Sequence, residues 1–321
     1  MTRKKVIVPE TIHRAGLEIL RQEADVIDLA EQRGQPLRDY VAEAHAIVVR
    51  VAKIDKELLE QAGNLMIIAK HGVGYDNIDV EAATQKGVVV INTPLDNAES
   101  VAEHNLGLML SLSKNIAIAD RELRAGKLSP REKYTGIELK DKNLGLIGVG
   151  RIGSTLAYKC QAAFNMKVLV YDPYISREKA DQLSVTKIEK LDDVLRAADY
   201  VAICVPLTEE TANLIGAREL GLMKPDAFLV NSSRGGIVDE QSLYDCLAKG
   251  KIAGAAMDVY VKEPPAADHP LLSLDNFIGT PHIAGSTREA MRRMAVTVAE
   301  EVLRVFHGER PKFPVNPQVL D

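Results

Sequence analysis

The stretch Asn143-Leu-Gly-Leu-Ile-Gly-Val-Gly-Arg-Ile-Gly153 constrains this chain more than any other. It reads as a short buried strand running straight into a glycine-rich turn and then a helix. Gly148, Gly150 and Gly153 give the G-x-G-x-x-G spacing: the first allows a tight turn, the second lets the backbone approach a pyrophosphate, and the third lets helix pack on strand. The helix N-terminus then faces the anion with unpaired N–H groups and the positive end of its dipole, so no lysine is needed. Taken bare, such a turn is equally a strand-to-helix corner without a ligand. Its surroundings favour the cofactor site. Ile152, Leu156, Cys160 and Ala163 follow at helical spacing, and Met166-Lys-Val-Leu-Val-Tyr-Asp172 reads as a second strand with a carboxylate at its end, completing a βαβ unit. Asp172 lies near the distance of about 20 residues at which an acidic side chain meets the adenosine ribose. A carboxylate there repels a 2′-phosphate, which favours NAD over NADP; the plain alternative is a turn residue before Pro173.

At 321 residues the chain exceeds the usual single-domain size, so two domains are expected. A formal charge of −5 and the absence of basic runs give no electrostatic footprint for nucleic acid or an anionic membrane. A small-molecule partner is the simpler expectation. The basic start, Met1-Thr-Arg-Lys-Lys5, precedes an apolar run too short for a signal peptide, and no stretch reaches the roughly 18 apolar residues of a membrane span. Cys160, Cys204 and Cys246 are scattered, without metal-like spacing, which reads as buried thiols in a reducing, cytoplasmic setting and implies no metal site.

Residues 5–92 alternate short apolar runs with helical patterns. Strands are expected at Lys5–Val8, Asp25–Leu29, Ala46–Val49, Leu65–Ala69 and Val88–Ile91, with helices near 11–23, 36–44, 55–62 and 79–86. That pattern makes a small parallel α/β domain. Arg50 and the loop Lys70-His-Gly-Val-Gly-Tyr-Asp-Asn77 fall at the C-terminal ends of its strands, where open α/β sheets place ligands. Gly72 and Gly74 can expose N–H groups to a carboxylate, or form a ligand-free turn. Glu99 to about Lys127 reads as one long helix, apolar on nearly every side and therefore buried all round.

Beyond Asp172, strands are expected at Tyr200–Val205, Ala227–Asn231, Ile252–Met257 and Asn276–Thr280, and a last helix carries Met291, Met294, Ala295, Val298, Val302 and Val305 on one stripe. If these strands extend the sheet that starts at Asn143, their C-terminal ends all point to the nucleotide crevice. Three ionisable residues stand there: Arg234, Glu263 and His282. An arginine offers a fork for a carboxylate, a histidine trades a proton near neutral pH, and a glutamate beside it holds its tautomer. Each alone has a dull explanation, as a surface arginine, a solvated loop carboxylate or a turn histidine. Together, after strands of one sheet beside a dinucleotide motif, they are what α-hydroxy acid oxidation requires.

The fingerprint at Gly148–Gly153, with Asn231-Ser-Ser-Arg-Gly-Gly236, Asp258-Val-Tyr-Val-Lys-Glu-Pro264 and Thr280-Pro-His-Ile-Ala-Gly-Ser286, resembles the D-isomer-specific 2-hydroxyacid dehydrogenases. His71-Gly-Val-Gly-Tyr-Asp-Asn-Ile-Asp79 and Asn97-Ala-Glu-Ser-Val-Ala-Glu-His104 are similar to that family too. The match runs over essentially the whole chain and is nearest the phosphoglycerate dehydrogenase branch, with glyoxylate/hydroxypyruvate reductases beside it. The resemblance implies two Rossmann-like parallel-sheet domains, with a NAD-binding domain (101–291) inserted into a flavodoxin-like substrate domain (1–100 and 292–321). It also implies a homodimer through the nucleotide domains and hydride transfer in an interdomain cleft that closes to expel water.

Carried over by position, the resemblance makes His282 the acid/base and Glu263 its partner. Arg234 and the backbone at Val73 and Gly74 would hold the substrate carboxylate. Asp258 would take the nicotinamide carboxamide. Arg151 and Ile152 would cover the pyrophosphate and Asp172 the ribose, while Pro206, Thr208, Ser233 and Gly285 would line the cofactor. Arg50 and Lys53 would meet a distal phosphate, although Arg50-Val-Ala-Lys53 departs from the Arg-Ser-x-Thr of phosphoglycerate enzymes. Because the sequence ends at Asp321, no appended regulatory domain and no serine feedback are expected. Formate dehydrogenase is disfavoured, since the resemblance to that enzyme implies a glutamine as the partner of the histidine, where this sequence has Glu263. The alternative of another class is an NAD(H)-sensing protein, because a family of transcriptional corepressors is similar in fold and keeps the same three residues.

Overall fold

The computed structural model describes residues 3–31, 36–127 and 129–321; Met1 and Thr2 of the basic start lie outside the described residues. The chain divides into two compact units, Met1–Asn97 with Ser286–Asp321, and Ala98–Gly285.

The first unit runs β1 (Lys4–Val8), α1 (Arg14–Glu23), β2 (Ala24–Asp28), β3 (Ala46–Val49), α2 (Lys56–Gln61), β4 (Ile67–Lys70), α3 (Val80–Gln85) and β5 (Val89–Ile91). Its five strands are parallel in the order β2-β1-β3-β4-β5, the flavodoxin-like order. Val6, Ile7 and Val8 are fully buried because helices cover both faces, and each such side chain contributes about 1.5–3 kcal/mol. The helix expected near 36–44 is two short 3₁₀ turns, Leu37–Asp39 and Val41–Glu43. Val41 and Ala44 are buried there, with Leu37 and Tyr40 partly buried against the same core.

The second unit opens with α4 (Ala98–Ser113) and α5 (Ile116–Arg124), then β6 (Asn143–Ile147), α6 (Arg151–Phe164), β7 (Lys167–Tyr171), α7 (Arg177–Gln182), β8 (Thr186–Lys187), α8 (Leu191–Ala197), β9 (Tyr200–Ile203), α9 (Ala217–Leu220), β10 (Phe228–Asn231), α10 (Glu240–Ala248), β11 (Gly254–Met257) and β12 (Phe277–Gly279). Seven parallel strands lie in the order β12-β11-β10-β9-β6-β7-β8. The chain works outward from β6 in one direction and then returns to its other side through β9. That reversal opens a crevice beyond the C-terminal end of β6, where ligands bind in such sheets. The chain then returns to the first unit with α11 (Arg288–Phe306). Met294, Ala295, Val298 and Val302 form its buried stripe. It packs on α1 at Gly16, where a Cβ would overlap the Ala295 carbonyl.

The single long helix expected over Glu99–Lys127 is two. Asn115 takes a left-handed backbone (φ 56°), and the returning segment caps α4, with Ile137 N–H donating to the Ser113 carbonyl at 2.9 Å. Nor is α4 buried all round. Glu103 and Gly107 are exposed, and Leu106 and Leu110 are half-buried. Cys160 and Cys246 are buried as expected, and Cys204 is half-buried.

Candidate active site

The glycine turn behaves as its spacing requires. Gly148 has φ 86°, and a Cβ there would sit 2.6 Å from Val205 Cγ1 and 2.7 Å from the Cys204 carbonyl oxygen. At Gly153 a Cβ would lie 2.6 Å from the Gly148 carbonyl oxygen, so α6 packs hard against the turn. Gly150 differs from both: nothing lies within 4 Å of its Cβ position. The first-turn amides of a helix have no intrahelical acceptor, and among the described residues those of Gly150, Arg151 and Ile152 find no other protein partner. Open space before unpaired N–H groups at the start of a fourteen-residue helix fits a pyrophosphate.

Asp172 directly follows β7, and it is also the turn residue of the plainer reading. Its Oδ1 accepts the Tyr174 N–H at 2.9 Å and its Oδ2 accepts the Val149 N–H at 3.0 Å. The carboxylate is thereby tied to the glycine turn itself. Pro206 and Thr208 follow β9 in a tight exposed turn, in which Thr211 Oγ1 donates to the Pro206 carbonyl at 2.6 Å and accepts the Thr208 N–H at 2.8 Å. Burial pushes the thiol of Cys204, at the same strand end, up to about 12.

Three loops carry the ionisable set, all within the second unit. After β10, the fully buried Asn231 shapes the first: its Oδ1 accepts the Ser233 N–H at 3.0 Å and its Nδ2 donates to the Arg234 carbonyl at 3.0 Å. Ser233 Oγ donates to the Ile203 carbonyl at 2.7 Å, and Arg234 Nη1 donates to the Ser233 carbonyl at 2.6 Å. After β11 comes the loop with Glu263, and after β12 the one with His282. Glu263 Oε2 lies 2.6 Å from His282 Nδ1, and its Oε1 accepts the Tyr260 N–H at 3.0 Å. Burial pushes the Glu263 carboxyl up, but the hydrogen bonds from His282 and Tyr260 and the charges of His282 and Arg234 outweigh it and leave it below its ordinary value. An ionised Glu263 fixes the proton on Nδ1 and leaves Nε2 to work.

His282 has a left-handed backbone (φ 53°), unusual outside glycine, and its neighbours hold it there. The Asp258 carbonyl accepts the His282 N–H at 2.7 Å, while its carboxylate accepts the Ile283 N–H at 2.9 Å, the Ala284 N–H at 2.8 Å and the Thr280 hydroxyl at 2.6 Å. His104 of α4 stands behind, its Nε2 3.1 Å from Thr280 Oγ1. Asp258 is fully buried. In this structure it anchors the His282 loop. Gly285 closes the loop and the unit.

In the first unit, the loop after β4 presents Val73 and Gly74, whose amides donate to nothing among the described residues. Around them the loop is tightly wired. Gly72 N–H donates to Thr93 Oγ1 at 3.1 Å, Asn92 Nδ2 to the Val73 carbonyl at 2.6 Å, and the buried Lys70 to Asn77 Oδ1 at 2.6 Å and to the Arg50 carbonyl. His71 is buried, with Nε2 3.3 Å from the Met291 carbonyl oxygen; burial, with Arg50 and Lys70 nearby, pushes it down to about 4, so it is neutral at pH 7. Arg50 Nη1 donates to the Thr11 carbonyl at 3.0 Å, and Lys53 lies exposed, 3.7 Å from Asp55.

Several supports escape a reading of the sequence. Glu10 accepts the N–H groups of Arg50 and Val51 at 3.0 and 2.9 Å, and that of Ala52 as well, fixing the loop that bears Arg50. Asn231, Tyr260, Glu240 and His269 are others. Only Asn231 has a local signal, as a polar residue ending an apolar strand.

The family model described as "D-isomer specific 2-hydroxyacid dehydrogenase, NAD binding domain" matches residues 106–284. A D-3-phosphoglycerate dehydrogenase of Archaeoglobus fulgidus is 43% identical over 316 residues, which are 97% of this chain and 59% of that protein. The chain thus spans about six-tenths of that relative's length. A glyoxylate reductase of Thermofilum pendens is 39% identical over 100% of this chain and 96% of its own. The crystal structure of a D-lactate dehydrogenase from Aquifex aeolicus, complexed with NAD and lactic acid, superposes with a TM-score of 0.82 at 30% identity, covering 95% of this chain and 96% of that one. With its two parallel-sheet units and its glycine turn, the chain belongs to the D-isomer-specific 2-hydroxyacid dehydrogenase family.

Proposed function

We propose that this chain is an NAD-dependent dehydrogenase acting at C2 of a D-2-hydroxy acid and the corresponding 2-keto acid. The observation that carries the reading is the 2.6 Å contact between Glu263 and His282 on strand-end loops of the sheet that holds the open glycine turn. When bound, the nicotinamide supplies or accepts hydride. The protein's own part is to bind, orient and move one proton. In the second unit Arg234 offers its fork to a substrate carboxylate, and in the first the open amides of Val73 and Gly74 offer donors to the same kind of group. His282 Nε2 gives a proton to the C2 oxygen in reduction and removes it in oxidation, and Glu263 steadies the imidazolium left by oxidation. Arg151 and Ile152 cover the pyrophosphate. Asp172 meets the adenosine ribose with the lone pairs its two N–H partners leave, and its charge favours NAD.

The substrate pair placed first is 3-phosphoglycerate and phosphohydroxypyruvate, on the name of the 43% identical relative, with Arg50 and Lys53 meeting the distal phosphate. Glyoxylate comes second, on the name of the relative covered over 96% of its length, with hydroxypyruvate beside it on the name of a structurally similar glyoxylate/hydroxypyruvate reductase. We place the chain in the cytoplasm, where its three free thiols persist, and as a homodimer through the second unit. Ile116 and Leu123, 54% and 65% exposed on α5, support the latter.

A 340 nm assay with NADH over phosphohydroxypyruvate, hydroxypyruvate, glyoxylate, pyruvate and bulkier keto acids tests the reading. At least one should turn over, and His282→Ala should lose about 10²–10⁴-fold in kcat while still binding NADH. Unchanged turnover removes His282 from the mechanism. Tight NADH binding with no turnover of any acid favours the NAD(H)-sensing alternative.

A further inference from the structure

Two carboxylates grip neighbouring amides of the loop after β11. Glu263 accepts the Tyr260 N–H with Oε1 and meets His282 with Oε2. One residue along, Glu240 repeats the arrangement: its Oε1 accepts the Val261 N–H at 2.8 Å and its Oε2 lies 3.1 Å from His269 Nε2. The pairs differ in access to water. Side chains of Glu263 and His282 are 35% and 48% exposed, those of Glu240 and His269 only 19% and 17%. The outer pair can meet a substrate, and the inner pair is placed to hold the outer one.

Glu240 is well anchored for that task. It opens α10, whose N-cap Asp239 accepts the Ser242 N–H at 2.7 Å. His269 leads into the 3₁₀ turn Pro270–Ser273 and meets the Tyr260 ring edge-on, 5.7 Å between centroids. Tyr260 is where the site loops converge. A Cβ on Gly235, beside Arg234, would overlap its carbonyl, and one on Gly279, just before the His282 loop, would overlap its hydroxyl. Burial, then the charges of Asp258, Glu240 and Glu263, push that hydroxyl up to about 12, so it stays a neutral wedge. Charged groups near the outer pair include Arg234 and the buried Asp258, which His104 faces at 3.6 Å, and Lys262 adjoins Glu263 in the loop.

We propose that Glu240 and His269 form a second carboxylate–imidazole pair, a positioning pair that holds Tyr260–Val261 so that Glu263 is aimed at His282. The inference rests on the hydride-transfer reading for its consequence, though not for its geometry. Glu240 reaches no substrate and acts only through Glu263.

The test compares Glu240→Ala, Glu240→Gln, Glu263→Gln and the double variant Glu240→Ala/Glu263→Gln with the unaltered chain. Glu240→Ala should lower kcat about tenfold while the KM and NADH affinity stay within about twofold, as expected when a reacting group is misaimed rather than lost. Glu240→Gln should restore most of the rate, since its oxygen still accepts the Val261 N–H. In the Glu263→Gln background the loss of Glu240 should change kcat by less than about twofold, because the two effects share one path. The downfield proton resonance of His282 Nδ1, assigned by its absence in His282→Ala, should move upfield in Glu240→Ala. An unmoved resonance, or the full tenfold loss in the Glu263→Gln background, overturns the proposal. If Glu240→Ala does not fold, His269→Phe carries the same readouts. A chain that turns over no keto acid ends the hydride-transfer reading, while the resonance still decides the positioning one.

Discussion

The loop after β4 and the turn after β6 are both glycine-marked ends of parallel strands, and they use their amides differently. After β6, the amides of Gly150, Arg151 and Ile152 stand open at the head of a fourteen-residue helix. After β4, the amides of Val73 and Gly74 stay open, within a loop wired by Thr93, Asn92, Lys70 and Asn77 and followed by a helix of six residues. A long helix supplies a dipole that attracts a diphosphate without side chains. A short helix supplies little, so the first loop is shaped by side chains and backed by cations, which suits one small carboxylate. The same architecture thus gives a long helix headed by open amides in one unit and a loop wired by side chains in the other.

That contrast can be broken by experiment. Gly148→Ala should be the most damaging change, since φ 86° and contacts of 2.6 and 2.7 Å leave no room for a Cβ; about 3 kcal/mol or more of stability should vanish, with NADH binding, in urea unfolding and fluorescence titration. Gly72→Ala meets only Lys70 Cε at 3.4 Å, although its φ of 152° is unfavourable, and should cost less than Gly148→Ala and spare NADH binding. Equal losses would erase the distinction.

Next in size is a pH effect confined to the first unit. His71 is held down at about 4 against an ordinary 6.5, so below 6.5 the unfolded chain takes a proton that the folded one refuses. Stability is complete above about 6.5 and falls towards pH 4, by about 3 kcal/mol in all. His71→Gln, which keeps a donor for the Met291 carbonyl, should flatten that window in pH-dependent chemical denaturation. A slope identical to the unaltered chain's would assign the loss elsewhere.

Gly150→Ala should leave the melting temperature unchanged, because its Cβ meets nothing, yet weaken NADH about tenfold by filling the cradle. Unchanged affinity would mean that the open amides are not where the diphosphate sits. The smallest effect is expected from Arg50→Ala, which should raise the KM severalfold for acids with a distal anion alone, about 1 kcal/mol. A rise shared by every acid would move Arg50 to the carboxylate.

Local signals carried much of this. Val6, Ile7 and Val8 announce a strand buried on both faces, and the spacing of Gly148, Gly150 and Gly153 announces a turn that only glycine can make. Asp172 directly after β7 is legible for the same reason, since strand, turn and carboxylate lie within one βαβ unit. The break at Asn115 was not legible, because α4 ends where a segment more than twenty residues later returns to cap it. Glu240, Tyr260 and Glu10 were also silent, each being ordinary in its own stretch of sequence.

The sequence by itself determined most of the strands, the glycine turn, and which ionisable residues stand after strands, because those depend on the period of apolar residues and on backbone sterics over a few positions. Only the tertiary structure decided that Glu263 meets His282 through a bond of 2.6 Å, that Asp258 is buried beneath the His282 loop, and that Glu240 accepts the Val261 N–H. The physical reason is that a hydrogen bond between loops of one sheet is set by strand order, and strand order is fixed by how the whole chain packs.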